Sequence, residues 1–471
     1  MMINLTLSTA ILLACTSIVA AAGGVITVPM KSLVKPQNQN SRSMNARYHR
    51  KRSTTTSTAL TSANGDVMYT VSLGVGTPPQ YFNLAIDTGS PITWMVSKDC
   101  TTATCDQISN HFDCEASSTC TASPASGTLN ASYVSGDSIY GSYVEEMFTL
   151  GSLHFPSLAG VVSSDSAQLP PTVDGIMGLW FGAPSDPKRQ KNVPLNAAFL
   201  SVLSNTTVLA QKKVGIWIAS GNSPDKNAPG GEITFGGVDP ARYTGDFTYV
   251  DCVVHPPWTI PVERVSINGQ NFNVGGSLAT IDTGTTAMLL PAALAHGINS
   301  AIAGSFQNYQ GEWFIPCSGG ASLSITVGGL AVTIPYTTLA MQNLRYNDAN
   351  ITTPYCLSAA MYAIGETVPI KQWLLGDVFL KSVYSVFDFG TNAATGGRIG
   401  FAKLSPTTTT TTTTTAKTTG GNGDKEGSES YSFESSDRRN DLDANSSAQA
   451  VSTSRALLVS AIAMGIVSAM L

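Results

Sequence analysis

A mainly β body built as two related lobes is what the sequence predicts, and three observations predict it. Apolar residues alternate with polar ones at the period of a strand wherever a pattern is readable. Helical patterns are few and short. A five-residue motif, Ile86-Asp87-Thr88-Gly89-Ser90, returns as Ile281-Asp282-Thr283-Gly284-Thr285, and each copy closes an apolar run.

The chain divides before the body begins. Charged residues make up 12% of its 471 residues, about half the share of an average soluble domain, and the net charge of −5 argues against a basic nucleic-acid-binding surface. That average hides a split. Residues 1–52 hold 7 basic and no acidic residues, residues 53–405 hold 14 basic and 24 acidic, and residues 406–471 hold 5 basic and 7 acidic. A basic head precedes an acidic body.

Residues Leu5 to Ala22 form an apolar run closed by Val19, Ala20, Ala21 and Ala22, the pattern of a secretory signal peptide with its cleavage site. The competing reading is a membrane-spanning anchor, which needs about 20 apolar residues and a charged flank. Residues 23–52 end in Arg50-Lys51-Arg52, either a processing site behind a propeptide or the end of a basic linker. Beyond Pro406, nine threonines from Thr407 to Thr415 open a Gly-, Ser- and charge-rich stretch whose composition cannot bury a core. It reads as an O-glycosylated stalk over 406–445. The small residues Asn445, Ser446 and Ser447, a spacer from Ala448 to Arg455 and an apolar end from Ala456 to Leu471 match a GPI-attachment signal. Attachment is expected at Asn445, with residues 446–471 removed; a true tail anchor is the alternative.

In the body, Tyr69, Val71, Leu73 and Val75 alternate with Thr70, Ser72 and Gly74, the period of a half-buried strand. Phe82, Leu84 and Ile86 continue it beyond the turn at Gly76-Thr77-Pro78-Pro79. Leu323, Ile325 and Val327 face Leu330, Val332 and Ile334 across Gly328 and Gly329, which predicts a hairpin. The clearest helix runs from Pro291 to Ile302, opened by a proline suited to a first turn. Each copy of the repeat is answered by two aliphatic residues and a glycine. Gly178 of Ile176-Met177-Gly178 lies 91 residues after Asp87, and Gly376 of Leu374-Leu375-Gly376 lies 94 after Asp282. Two landmarks at nearly equal spacing make the body a pair of related lobes, assigned to 53–240 and 241–405.

A carboxylate at the end of a buried strand is costly unless it is paired and hydrogen-bonded. One copy alone is most simply a turn or a strand cap. Two copies related by pseudo-symmetry bring the carboxylates of Asp87 and Asp282 together, where they share one proton. The ionised member draws a proton from water while its protonated mate donates to the carbonyl under attack. On the same logic Gly89 and Gly284 let backbone approach the carboxylates, Thr88 and Thr283 bond across to the opposite loop, and Ser90 and Thr285 hold the outer carboxylate oxygens.

Over roughly Val67 to Lys403 these motifs resemble the pepsin family of aspartic endopeptidases, of the GPI-anchored yapsin-like type. Asp87-Thr88-Gly89-Ser90 resembles the first catalytic motif, with Trp94 at the family's tryptophan position. Asn130-Ala131-Ser132-Tyr133-Val134-Ser135-Gly136 resembles the flap that closes over substrate, which implies substrate contacts for Tyr133, Ser135 and Gly136. Val173-Asp174-Gly175-Ile176-Met177-Gly178-Leu179 and Trp373-Leu374-Leu375-Gly376-Asp377-Val378-Phe379 match the strands behind the two motifs. Pro91, where the family has a small residue, and Val134, where the flap tyrosine is followed by glycine, depart from the pattern. The resemblance implies an all-β bilobal fold with a cleft between the lobes, an acidic optimum, protein or peptide substrates, and a monomer that meets a membrane only through its lipid anchor. It implies no cofactor. Gly24 to Lys31 resembles the start of family propeptides, whose cations pair with body carboxylates and are released as those carboxylates protonate.

Cys15 leaves with the signal peptide. A secreted setting favours disulfides, and the family's spacings imply Cys100–Cys105 and Cys317–Cys356. Cys114 and Cys120 form a further local loop or pair in nested order with Cys100 and Cys105. Cys252 is left as a buried free thiol. The scattered His49, His111, His154, His255 and His296 lack metal-site spacing, and no nucleophile-elbow motif is present. Asn130, Asn205 and Asn350 open glycosylation sequons, the first just before the flap, where a glycan limits access. The reading from a different class is a pepsin-fold binding or inhibitor module without activity, or a structural protein of the cell surface.

Overall fold

The computed structural model describes residues 26–27, 57–63, 67–123, 127–133, 136–167, 169–180, 209–219, 229–253, 258–346, 353–362, 372–390 and 397–406. Most of the basic head and the segments expected to be signal peptide, stalk and anchor signal lie outside them, as do Val134, Ser135, Asn205, Asn350 and Asn445. Among the described residues no helix is long and apolar enough to cross a membrane.

The fold is all-β and bilobal. The largest sheet has 15 strands, enough to run through both halves of the body. Its path begins with Tyr243–Asp251, Arg398–Leu404 and Tyr384–Asp388 from the C-terminal half, then passes to Lys213–Ile218, Pro229–Phe235 and Ser57–Ala63. The seam between halves is the antiparallel pair Lys213–Ile218 with Tyr384–Asp388, in which Val214 faces Phe387. The path continues through Met68–Val75, Gln80–Asp87, Gly175–Gly178, Trp94–Val96, Leu153–Asp165 and Ser138–Leu150.

The internal repeat in sequence is an internal repeat in space. In the first half, Gln80–Asp87 runs parallel to Gly175–Gly178, which pairs antiparallel with Trp94–Val96, itself parallel to Leu153–Asp165. In the second half, Leu278–Ile281 runs parallel to Gln372–Leu375, which pairs antiparallel with Met288–Leu289, itself parallel to Ala360–Met361. The Ile-Met-Gly and Leu-Leu-Gly landmarks are therefore the strands beside each aspartate. Gly178 stands opposite Asp87, and Leu375 opposite Ile281.

The hairpin around Gly328 and Gly329 forms with Leu323 opposite Ile334 and Ile325 opposite Val332. The helix spans Ala292–Ser300, with Pro291 just outside it as the cap. Met68–Val75 departs from the half-buried expectation, for it is buried at every position except Ser72. Tyr69, Val71, Leu73 and Val75 pack into the central core, while Met68 joins a second core beneath the flap. On that second face Gly74 backs against Pro79, Tyr81 and Thr149. A strand walled on both sides loses the exposure that alternation normally signals.

Candidate active site

Asp87 is the last residue of Gln80–Asp87, and Asp282 follows Leu278–Ile281 directly. Both side chains are at most 1% exposed. The two loops are tied together reciprocally. Thr88 N–H donates to Thr283 Oγ1 and Thr283 N–H to Thr88 Oγ1, each at 3.0 Å; the hydroxyl of Thr88 donates to Ile281 O at 2.9 Å and that of Thr283 to Ile86 O at 3.0 Å. Four buried bonds at one crossing fix the distance between the halves.

Gly89 N–H donates to Asp87 Oδ1 at 2.8 Å and to Asp282 Oδ1 at 3.1 Å. Gly284 N–H donates to Asp282 Oδ1 at 2.9 Å. Glycine is required at both places by the closeness of the opposing carboxylate. A Cβ on Gly89 would lie 2.7 Å from Asp282 Oδ1, and one on Gly284 2.5 Å from Asp87 Oδ1.

The outer oxygens differ. Thr285 Oγ1 donates to Asp282 Oδ2 at 2.7 Å. Ser90 lies near enough to Asp87 to favour its charged form, but its Oγ meets no acceptor in hydrogen-bond geometry among the described residues. Asp282 thus receives three donors and Asp87 one. Burial, and then the charge of Asp282, hold the Asp87 carboxyl well above the ordinary range. Burial raises Asp282 too, opposed first by Thr285 and then by Gly284, Asp87 and Gly89. The shared proton belongs on Asp87.

A hairpin brings Tyr133 within electrostatic reach of Asp87. Thr128–Ser132 runs antiparallel to Ser138–Leu150, with Ser132 facing Ser138. Its turn is closed by Tyr133 N–H to Asp137 O at 2.8 Å and Gly136 N–H to Tyr133 O at 2.9 Å, with Gly136 at a φ of 89° that favours glycine. Tyr133 is buried, and Trp94 Nε1 donates to its hydroxyl oxygen at 2.5 Å. Burial and the charge of Asp87 push the Tyr133 phenol well above its ordinary value, so it stays a neutral donor.

Cys100–Cys105, Cys114–Cys120 and Cys317–Cys356 are bonded, which selects two local loops over the nested order. Cys252 is free and buried, its thiol pushed up to about 12 by burial. No group of three or more metal-ligating side chains occurs among the described residues.

Other residues hold the site without having stood out in the sequence. Trp258 Nε1 donates to Leu179 O at 3.1 Å, while Leu179 N–H donates to Asp87 O at 2.7 Å, so an indole of the second half steadies the first aspartate loop. Thr286 Oγ1 donates to Val67 O in the reverse sense. Asp174 accepts from the backbone and side chain of both Asn83 and Asn110. The signal for Asp174 was present, as one carboxylate inside the apolar run Val173 to Leu179. For Trp258 nothing local marked a role.

Two aspartates on mirrored strand ends, locked by crossed threonines beside a tyrosine hairpin, form an arrangement suited to a peptidase that works through a carboxylate pair. The comparisons agree. Residues 68–404 match the family described as eukaryotic aspartyl protease, and the chain belongs to it. An aspartic protease of Phaffia rhodozyma is 30% identical over 394 residues, 81% of this chain and 87% of that protein. Cathepsin D of Chionodraco hamatus is 32% identical over 352 residues, 72% and 81% of the two chains. The major aspartyl peptidase 1 of Cryptococcus neoformans var. grubii is 29% identical over 380 residues, 76% and 73%.

Proposed function

We propose that this aspartic endopeptidase works through Asp87 and Asp282 as a secreted enzyme made in precursor form and active in acid. The observation that carries the reading is the asymmetric pair, with three donors on Asp282 and one on Asp87. Ionised Asp282 takes a proton from the attacking water as its oxygen bonds to the peptide carbonyl carbon. Asp87 gives its proton to the carbonyl oxygen, and a neutral gem-diol forms. Collapse reverses the roles. Asp282 returns its proton to the leaving nitrogen, Asp87 recovers one from the diol, and the C–N bond breaks. Tyr133, Ser135, Gly136 and Trp94 belong to the substrate-covering side, with Tyr133 excluding water over the pair.

Residues 1–22 are read as a signal peptide and 23–52 as a propeptide released after Arg52. Ile26 and Thr27 pair antiparallel with Phe235 and Thr234, which supports a head folded back onto the body. Residues 53–240 and 241–405 serve as the lobes. A glycosylated stalk, glycans on Asn205 and Asn350, lipid attachment at Asn445 and a monomeric cell-surface enzyme complete the reading; their support is the sequence pattern alone.

The test is cleavage of a denatured protein at about pH 4, where the pair carries one proton, with and without a statine-type inhibitor. Cleavage that the inhibitor and Asp282→Ala both abolish is expected. A wild type that fails to cleave and behaves like Asp282→Ala would establish the inactive binding module instead.

A further inference from the structure

The flap hairpin carries a feature that catalysis does not use. Asn130 opens the sequon Asn130-Ala131-Ser132 and lies in Thr128–Ser132, three residues before Tyr133. Its strand neighbour Leu129 is fully buried in the core beneath the flap, so alternation sends Asn130 outward, and Asn130 is exposed. Directly across the hairpin stands Tyr140, 46% exposed and one of four large apolar side chains left open on the described surface. Facing residues on one side of an antiparallel pair hold their Cβ atoms about 5 Å apart. Among the described residues Thr128–Ser132 pairs only with Ser138–Leu150, so the outer side of this ribbon is open to a bulky group.

We infer that Asn130 is a glycosylation site whose glycan makes the flap a size filter, admitting extended peptides and turning away folded proteins. The inference rests on the peptidase reading above. In the transfer, Nδ2 of Asn130 bonds to C1 of an oligosaccharide carried on a polyprenyl diphosphate. The C1–O bond breaks, the diphosphate leaves with the electron pair, and the amide nitrogen gives up one proton. The first sugar then rests beside the Tyr140 ring, whose apolar body and polar tip suit a sugar face. At about 3.3 Å per residue the glycan base is about 10 Å from Tyr133. An extended chain passes beneath the flap without meeting it. A folded substrate must lay its own surface over the hairpin, where a large hydrated group stands.

The test uses the full chain secreted from a eukaryotic host. Enzymatic deglycosylation in heavy-oxygen water followed by peptide mapping should convert Asn130 to a labelled Asp. Asn130→Gln and Ser132→Ala, which break the sequon at different atoms, should each raise kcat/KM for a folded protein substrate about tenfold while a short peptide stays within about twofold. Ser132→Thr keeps the sequon and should match wild type. Unmodified Asn130 overturns the proposal, as does an equal change for both substrates. A wild type that cleaves neither substrate overturns the peptidase reading and the size filter together, while the peptide map still decides whether the glycan is there.

Discussion

The two aspartate loops differ by little in sequence but are unequal in the donors that reach their carboxylates. Both close an apolar strand, both cross a threonine to the other half, and both place a glycine amide on a carboxylate. They part at the fourth residue. Thr285 delivers its hydroxyl to Asp282 Oδ2, whereas Ser90 finds no acceptor among the described residues. Gly89 N–H adds to the difference by reaching Asp282 as well as Asp87. Pseudo-symmetry brings two acids together, and a small break in it gives Asp282 more donors than Asp87, which favours the charged form of Asp282.

The largest effect comes from removing either member. Asp87→Asn and Asp282→Asn should each lower kcat/KM by on the order of 10³-fold or more, read by peptide cleavage in acid beside a thermal melt showing a folded chain. Substantial activity in either variant would break the assigned pairing. Next come Gly89→Ala and Gly284→Ala, whose added methyls would stand 2.7 and 2.5 Å from the opposing carboxylate oxygens. Each should cost about 10²-fold, since displacement of about 1 Å at a reacting group has that effect. A Gly284→Ala variant of normal rate would mean that the loops are held less rigidly than the crossed threonines suggest.

The comparison sharpens on the pH profile. A hydrogen bond to a carboxylate favours its charged form, so losing the donor in Thr285→Val raises the Asp282 pKa. The acid limb of kcat/KM moves to higher pH, and activity at about pH 3 falls several-fold. Ser90→Ala acts on the other acid. Ser90 lies close to Asp87 without a formed bond, so its loss should move the alkaline limb upward by at most a small amount. If both substitutions moved the same limb, the proton would not belong on Asp87.

Much of this was legible in the sequence because the repeat carries its own register. Ile86-Asp87-Thr88-Gly89-Ser90 and its second copy named the strand ends, and Gly178 and Gly376 named the neighbouring strands before any pairing was seen. The asymmetry was not legible. Ser90 and Thr285 are the same chemistry in one dimension, and only the loop geometry separates a formed bond from an unformed one. Trp258 was equally hidden, because its partner Leu179 lies 79 residues earlier and a single indole has no periodicity. The double burial of Met68–Val75 came from walls supplied by distant segments, which alternation within one strand cannot report.

A third buried carboxylate tests what pairing itself contributes. Asp165 ends the strand Leu153–Asp165, is 5% exposed, and accepts Ala167 N–H on Oδ1 at 2.5 Å, while Oδ2 has no partner among the described residues. Burial, with the charge of Asp137 adding to it, raises its pKa from 3.8 to about 7. Because the folded value lies above the unfolded one, the stability it contributes is complete below about pH 4 and is lost as pH rises through about 7. Unlike the dyad, Asp165 has no second acid to share its proton, so the penalty at neutral pH falls on the fold. Asp165→Asn keeps the acceptor for Ala167 and removes the ionisation. It should stabilise the protein by ~1–3 kcal/mol near pH 7.5 and change little near pH 4, read as a flatter dependence of Tm on pH. A variant whose melting temperature follows wild type across that range would show that the neutral-pH cost does not arise at Asp165.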